Sequence, residues 1–137
     1  MIQKFHSKKG GFTLVEIMIV VAIIALLAAI AVPSFLRART RSQASTVLND
    51  LRLIDAAKDQ YMIENNRSSV ASFTAAMLSP YLKAGSDLQN SLGGGSATDR
   101  AGGSTIVYEG SNTLPSVTHS FDSDVVPDEF WSPYGVN

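Results

Sequence analysis

The residues with the most chemical potential in this chain stand near its start. Glu16 is a carboxylate set inside an apolar run, just after a basic leader (Lys4, Lys8 and Lys9) that ends in Gly10-Gly11. An ionised side chain within a bilayer is costly, and where one is retained it usually pairs with another group or marks function. The chemistry Glu16 offers is charge pairing with a partner.

Chemistry elsewhere is sparse. The chain has no cysteine, hence no disulfide framework, thiol nucleophile or thiolate metal site. His6 lies in the leader and His119 stands alone, so no histidine pair offers a transition-metal site. No spacing brings serine, histidine and acid into a catalytic grouping, and no enzymatic activity is expected. Asp122, Asp124, Asp128 and Glu129 form the one acidic cluster. Alternating carboxylates in a loop suit calcium, which takes six to eight oxygen ligands. Asp122, Asp124 and Asp128 are therefore calcium candidates, although the glycine and final glutamate of an EF-hand are missing and a solvated acidic loop competes. The glycines at Gly93-Gly94-Gly95 and Gly102-Gly103 lack the Gly-x-x-x-x-Gly-Lys-Ser/Thr spacing of a phosphate cradle and read as flexible loop.

The element that must position Glu16 is a long helix. Ile17 to Val32 is unbroken apolar sequence, and Phe12 to Val32 is interrupted only by Thr13 and Glu16. About 20 such residues cross a hydrocarbon core. An ordinary secretory signal with cleavage at Ala29-Ile30-Ala31 competes, but such a segment is shorter and has no use for a glutamate. Three lysines before the span and Arg37, Arg39 and Arg41 after it leave the positive-inside rule tied. Ala25 and Ala29 have the small-xxx-small spacing that lets helices approach in lipid. Pro33 removes a helical hydrogen bond, so a kink or local melting is expected near residues 29–33.

Beyond Pro33 the helical period continues through Ala44, Val47, Leu48, Leu51, Ile54, Ala57 and Tyr61. Asn49, Asp50, Arg52, Asp55, Lys58 and Asp59 fall on the intervening polar positions. The pattern predicts an amphipathic helix ending near Asn65-Asn66, where asparagine suits a C-cap. After Arg67 come weak helical character from Ser72 to Leu82, a Gly/Ser/Asn-rich loop, a strand at Thr105–Tyr108 and a second at Val117–Phe121. Trp131 is expected to cap the core. The expected fold is α+β, with a small antiparallel sheet packed on the C-terminal half of the long helix. The expected division is leader 1–11, membrane and assembly helix 12–36, amphipathic continuation 37–66 and globular head 67–137. All twelve acidic residues follow Gly11, against eight Lys and Arg, so no nucleic-acid binding is expected.

Gly11-Phe12-Thr13-Leu14-Val15-Glu16, after a basic leader and before a long apolar helix, resembles the class III signal of type IV prepilins and type II secretion pseudopilins. The resemblance is close over residues 4–36 and weaker over Leu53–Tyr61 and Glu64-Asn65-Asn66. It implies a prepilin peptidase that cuts after Gly11 and methylates the new amine of Phe12, with Glu16 as the assembly glutamate and Pro33 at the family's helix-breaking proline. It further implies a single-pass inner-membrane protein with its head outside the cytoplasm. An inner-membrane assembly platform would then build it into a homo-oligomeric helical filament, periplasmic or extracellular. Major pseudopilins bind calcium in a C-terminal loop, whereas here Trp131-Ser132-Pro133-Tyr134 follows the acidic cluster that it normally precedes. A second helix proline is also missing, with Leu53 near its place. A signal-anchored extracellular binding module that forms no filament is the alternative from another class.

Overall fold

A computed structural model describes residues 10–93 and 95–137. The leader residues Lys4, His6, Lys8 and Lys9, and Gly94 of the glycine run, lie outside the described residues. The chain divides into two units, 1–36 and 37–137.

In the first unit the chain enters helix α1, Leu14–Glu64, from a non-helical stretch at residues 10–13. Every residue from Gly10 to Leu36 is exposed, including Leu26 and Leu27 at 65% and 61%. The helix is long and apolar enough to cross a membrane. So much bare hydrocarbon has no stable place in water and must be covered by lipid or by other helices. The helix continues through Pro33, so the local melting expected there does not occur. Proline leaves the Ala29 carbonyl without its helical donor, and one residue on the Ser34 hydroxyl donates to the Ile30 carbonyl at 3.4 Å.

In the second unit the remaining turns of α1 bury the predicted stripe. Ala44, Val47, Leu51, Ile54 and Ala57 are buried, and Leu48 and Tyr61 pack against them. The helix stops in a Schellman arrangement: the Arg67 amide donates to the Met62 carbonyl at 3.0 Å and the Asn66 amide to the Ile63 carbonyl at 3.2 Å. Asn66 takes the left-handed conformation, φ 49°, which asparagine tolerates better than most residues.

The weak helical signal at 72–82 becomes helix α2, Ala75–Leu78, followed by a 3₁₀ turn, Ser79–Tyr81. The expected long loop is more structured than its composition indicated. It contains helix α3, Asp87–Ser91, and strand β1, Ser96–Arg100. Ser86 caps α3 by accepting from the Gln89 amide at 3.2 Å. Strand β2, Ser104–Val107, pairs antiparallel with β1 and with β3, Ser116–Thr118. The second predicted strand is thus shorter than expected and starts one residue earlier. A short β4, Gly135–Val136, joins parallel to β3, so the sheet is mixed and not purely antiparallel. Between β1 and β2 the chain turns at Gly102, φ 69°, where a Cβ would come 2.2 Å from Phe121 Cε1.

Ile106, Tyr108, Val117, Val126 and Trp131 join the helix stripe in one core. Trp131 is fully buried, edge-on to Phe130, tilted against His119 and stacked near Phe121, which fits its expected role as a cap. Two residues expected on the polar face of α1 are instead buried, Asp50 and Lys58. Asp50 is ion-paired with Arg100 of β1, whose Nε donates to Oδ2 at 2.9 Å. Lys58 donates to the Thr113 carbonyl at 2.6 Å and lies over the Phe73 ring. Periodicity places both side chains at the edge of the stripe, where the end of β1 covers Asp50 and the loop carrying Thr113 covers Lys58.

Candidate functional site

The N-terminal site is built from four residues. Gly11 and Phe12 are exposed and precede the helix, so the peptide bond between them is open to another protein. A Cβ added at Gly10 or Gly11 would meet nothing within 4 Å. Nothing in the subunit's own packing therefore demands glycine there.

Thr13 is the N-cap of α1 and Glu16 sits in its first turn. The Thr13 amide donates to Glu16 Oε2 at 2.8 Å, and its hydroxyl donates to the same oxygen at 2.7 Å. In return the Glu16 amide donates to the Thr13 hydroxyl oxygen at 3.2 Å. This is a capping box, which satisfies orphan amides at a helix start and places a carboxylate where the helix dipole favours it. The Thr-x-x-Glu spacing of a capping box stands in the sequence itself, at Thr13-Leu14-Val15-Glu16. Glu16 thus has a partner within its own chain. Both Thr13 donors fall on Oε2; among the described residues, Oε1 accepts no hydrogen bond. Phe12 and Glu16 line one shallow apolar concavity with Ile17, Ile19 and Val20.

The second predicted site does not assemble. Asp122, Asp124 and Asp128 are all exposed. Asp122 Oδ1 accepts the Asp124 amide at 3.0 Å, and the Asp122 carbonyl accepts the Val125 and Val126 amides, forming a tight turn. Asp128 opens a separate 3₁₀ turn, Asp128–Trp131. Among the described residues, no three histidine or acidic side chains converge as a metal site. The carboxylates as placed do not fit a calcium ion, which needs several oxygens around one point. The same loop is tied to the helix by Arg41, whose Nε donates to the Val125 carbonyl at 3.2 Å.

Comparison with known proteins bears on the first site. Residues 6–32 match the family model described as the prokaryotic N-terminal methylation motif. Over 68 residues the chain is 41% identical to the type IV major pilin protein PilA of Myxococcus xanthus, covering 50% of this chain and 31% of that protein. It is 45% identical over 73 residues to the type IV wide pilus major component PilA4 of Thermus thermophilus, covering 53% and 54%. With the type II secretion system core protein G of Klebsiella pneumoniae it shares 35% identity over 61 residues, 44% of each chain. The matched region thus spans about a third to a half of these relatives' length. No solved structure matches the chain significantly.

Proposed function

We propose that this chain, a homologue of type IV pilins and type II secretion G pseudopilins that carries their N-terminal methylation motif, is a structural subunit of a pilus or pseudopilus filament. A prepilin peptidase hydrolyses the Gly11–Phe12 bond and methylates the new amine. The helix anchors the subunit once in the inner membrane, with the head outside the cytoplasm. An assembly platform then transfers it into a filament.

The observation that carries this reading is the Thr13–Glu16 capping box beside an accessible Gly11–Phe12 bond at the head of a bare apolar helix. Before cleavage the Phe12 nitrogen is a neutral amide. After cleavage it is an amine, and methylation leaves its positive charge in place. The Phe12–Thr13 amide survives cleavage, so Thr13 keeps holding Oε2. Oε1 is then presented to the Phe12 amine of a neighbouring subunit. In a low-dielectric bundle of helices that pair rejects misplaced neighbours, because an unpaired buried charge is strongly unfavourable. The contact is head-to-tail, so its repetition generates an open filament and not a closed ring. Ala25 and Ala29 let the helices approach once lipid is left behind, and Pro33 supplies the helix-weakening position.

The test is mass spectrometry of the mature N-terminus together with a filament assay. A terminus at N-methylated Phe12 and loss of filaments in Glu16→Ala support the proposal. An intact leader, a terminus at Val32, or normal filaments from the variant would overturn it.

A further inference from the structure

The turn that closes α1 carries a signal that filament assembly does not use. Of the six asparagines in the chain, only Asn66 is followed two positions later by a hydroxyl residue, in Asn66-Arg67-Ser68. An Asn-x-Ser/Thr triplet without proline is the acceptor signal for N-glycosylation on surface loops of exported proteins. We propose that Asn66 is an N-glycosylation site, modified outside the cytoplasm with an oligosaccharide drawn from a polyprenyl-diphosphate donor. The proposal rests on the reading above that the head leaves the cytoplasm.

The geometry separates Asn66 from its neighbour. Asn65 Nδ2 donates to the Tyr61 carbonyl at 2.9 Å and closes the helix. The Asn66 amide group has no hydrogen-bond partner among the described residues, and the residue is exposed. Its left-handed backbone turns the chain away from the helix axis. The chain from Arg67 to Thr74 then runs without helix or strand, and both Arg67 and Ser68 are exposed, so a transferase can reach the triplet. Glu64, two residues before Asn66, is exposed as well and accepts the Tyr81 hydroxyl at 2.6 Å, which fixes the last helical turn before the acceptor. An open cleft of about 600 Å³ lies beside the acceptor, lined by Asp59, Met62, Ile63, Asn66, Arg67 and Ser68. Ile63, in the last turn of α1, is 78% exposed there. The apolar face of the first sugar ring has a surface on which to rest.

The transfer balances simply. Asn66 Nδ2 attacks the anomeric carbon of the donor, and a C–N bond forms as the bond from that carbon to the diphosphate oxygen breaks. The polyprenyl diphosphate leaves with the electron pair, and one amide proton passes through the transferase to solvent. The donor lipid and the chain's anchor share a membrane, which keeps the two reactants close.

The test is tandem mass spectrometry on the full chain isolated from the cells that produce it, reading the mature N-terminus and the Asn66 peptide together. The expected result is a glycan localised to Asn66, lost completely in Asn66→Gln and in Ser68→Ala and retained in Ser68→Thr. Ser68→Ala leaves the helix-closing backbone bonds untouched, so its loss of glycan does not reflect misfolding. A methylated Phe12 with a bare Asn66, or a glycan localised to Ser68, overturns the glycosylation proposal alone. An uncleaved leader overturns the filament reading, independently of what Asn66 carries.

Discussion

Thr13 and Glu16 hold each other across the first turn of α1, with two donors of Thr13 converging on one oxygen of Glu16 and the other oxygen without a donor among the described residues. Capping and charge pairing are therefore separable functions of one side chain. Gln can fill the third position of a capping box as Glu does, but it carries no charge. Glu16→Gln is expected to be inserted, cleaved and methylated normally yet to yield few filaments. Wild-type filament yield from this variant, measured by shearing and electron microscopy, would show that the carboxylate matters only as a cap.

Thr13→Val keeps the amide donor to Oε2 and removes the hydroxyl. Filament yield is expected to fall by less than in Glu16→Gln, since Oε2 retains one of its two bonds. Equal losses in the two variants would show that the hydroxyl is as indispensable as the charge.

Asp50 and Arg100 join α1 to β1 with side chains only 8% and 9% exposed. Removing one partner strands the other charge in a dry site. Asp50→Ala is expected to lower the unfolding free energy of the detergent-solubilised chain by about 3 kcal/mol, in the range for breaking buried pairs. A double variant, Asp50→Leu with Arg100→Leu, is expected to recover much of that loss. Chemical denaturation of the three chains measures both effects.

Burial lowers the pKa of Lys58 below the ordinary lysine value of 10.5, while Asp55 and Asp59 push it back up. Burial likewise raises the pKa of Asp55, with Asp59 adding to the rise and Lys58 opposing it. Between the lowered folded value of Lys58 and 10.5 the unfolded chain binds more protons than the folded one, so stability due to this residue rises with pH in that window. The difference in unfolding midpoint between wild type and Lys58→Met is expected to shift in favour of wild type as pH climbs toward 10.5. A pH-independent difference would show that Lys58 titrates as a solvated lysine.

The acidic turn at Asp122 is closed by its own backbone and by the Asp124 amide, and among the described residues no three acidic or histidine side chains converge there. Neither millimolar calcium nor a chelator is expected to move the unfolding midpoint. A calcium-dependent rise would show that Asp122, Asp124 and Asp128 rearrange around the ion, because a ligand of the folded state alone stabilises it by mass action.

The stripe from Ala44 to Tyr61 was readable from residue spacing because one helix turned over one core must repeat every three or four positions. The helix end at Asn65-Asn66 was readable for a similarly local reason, since a left-handed closing residue favours asparagine. Helix α3 and strand β1 were hidden in a Gly/Ser-rich stretch. Their stability comes from packing against α1 and β2, and composition carries no record of such contacts. Asp50 and Lys58 looked solvated for the same reason: whether an edge position is covered depends on where distant residues such as Arg100 and Thr113 arrive.

The amino-acid sequence by itself determined the long helix, its apolar half, its closing turn and the Gly11–Glu16 junction, all of which depend on neighbours within a few residues. Only the tertiary structure decided that the sheet is mixed, that two charges of α1 are buried, and that the carboxylates of the acidic cluster do not converge. Those outcomes depend on side chains meeting from positions far apart in the chain, and local periodicity holds no information about such meetings.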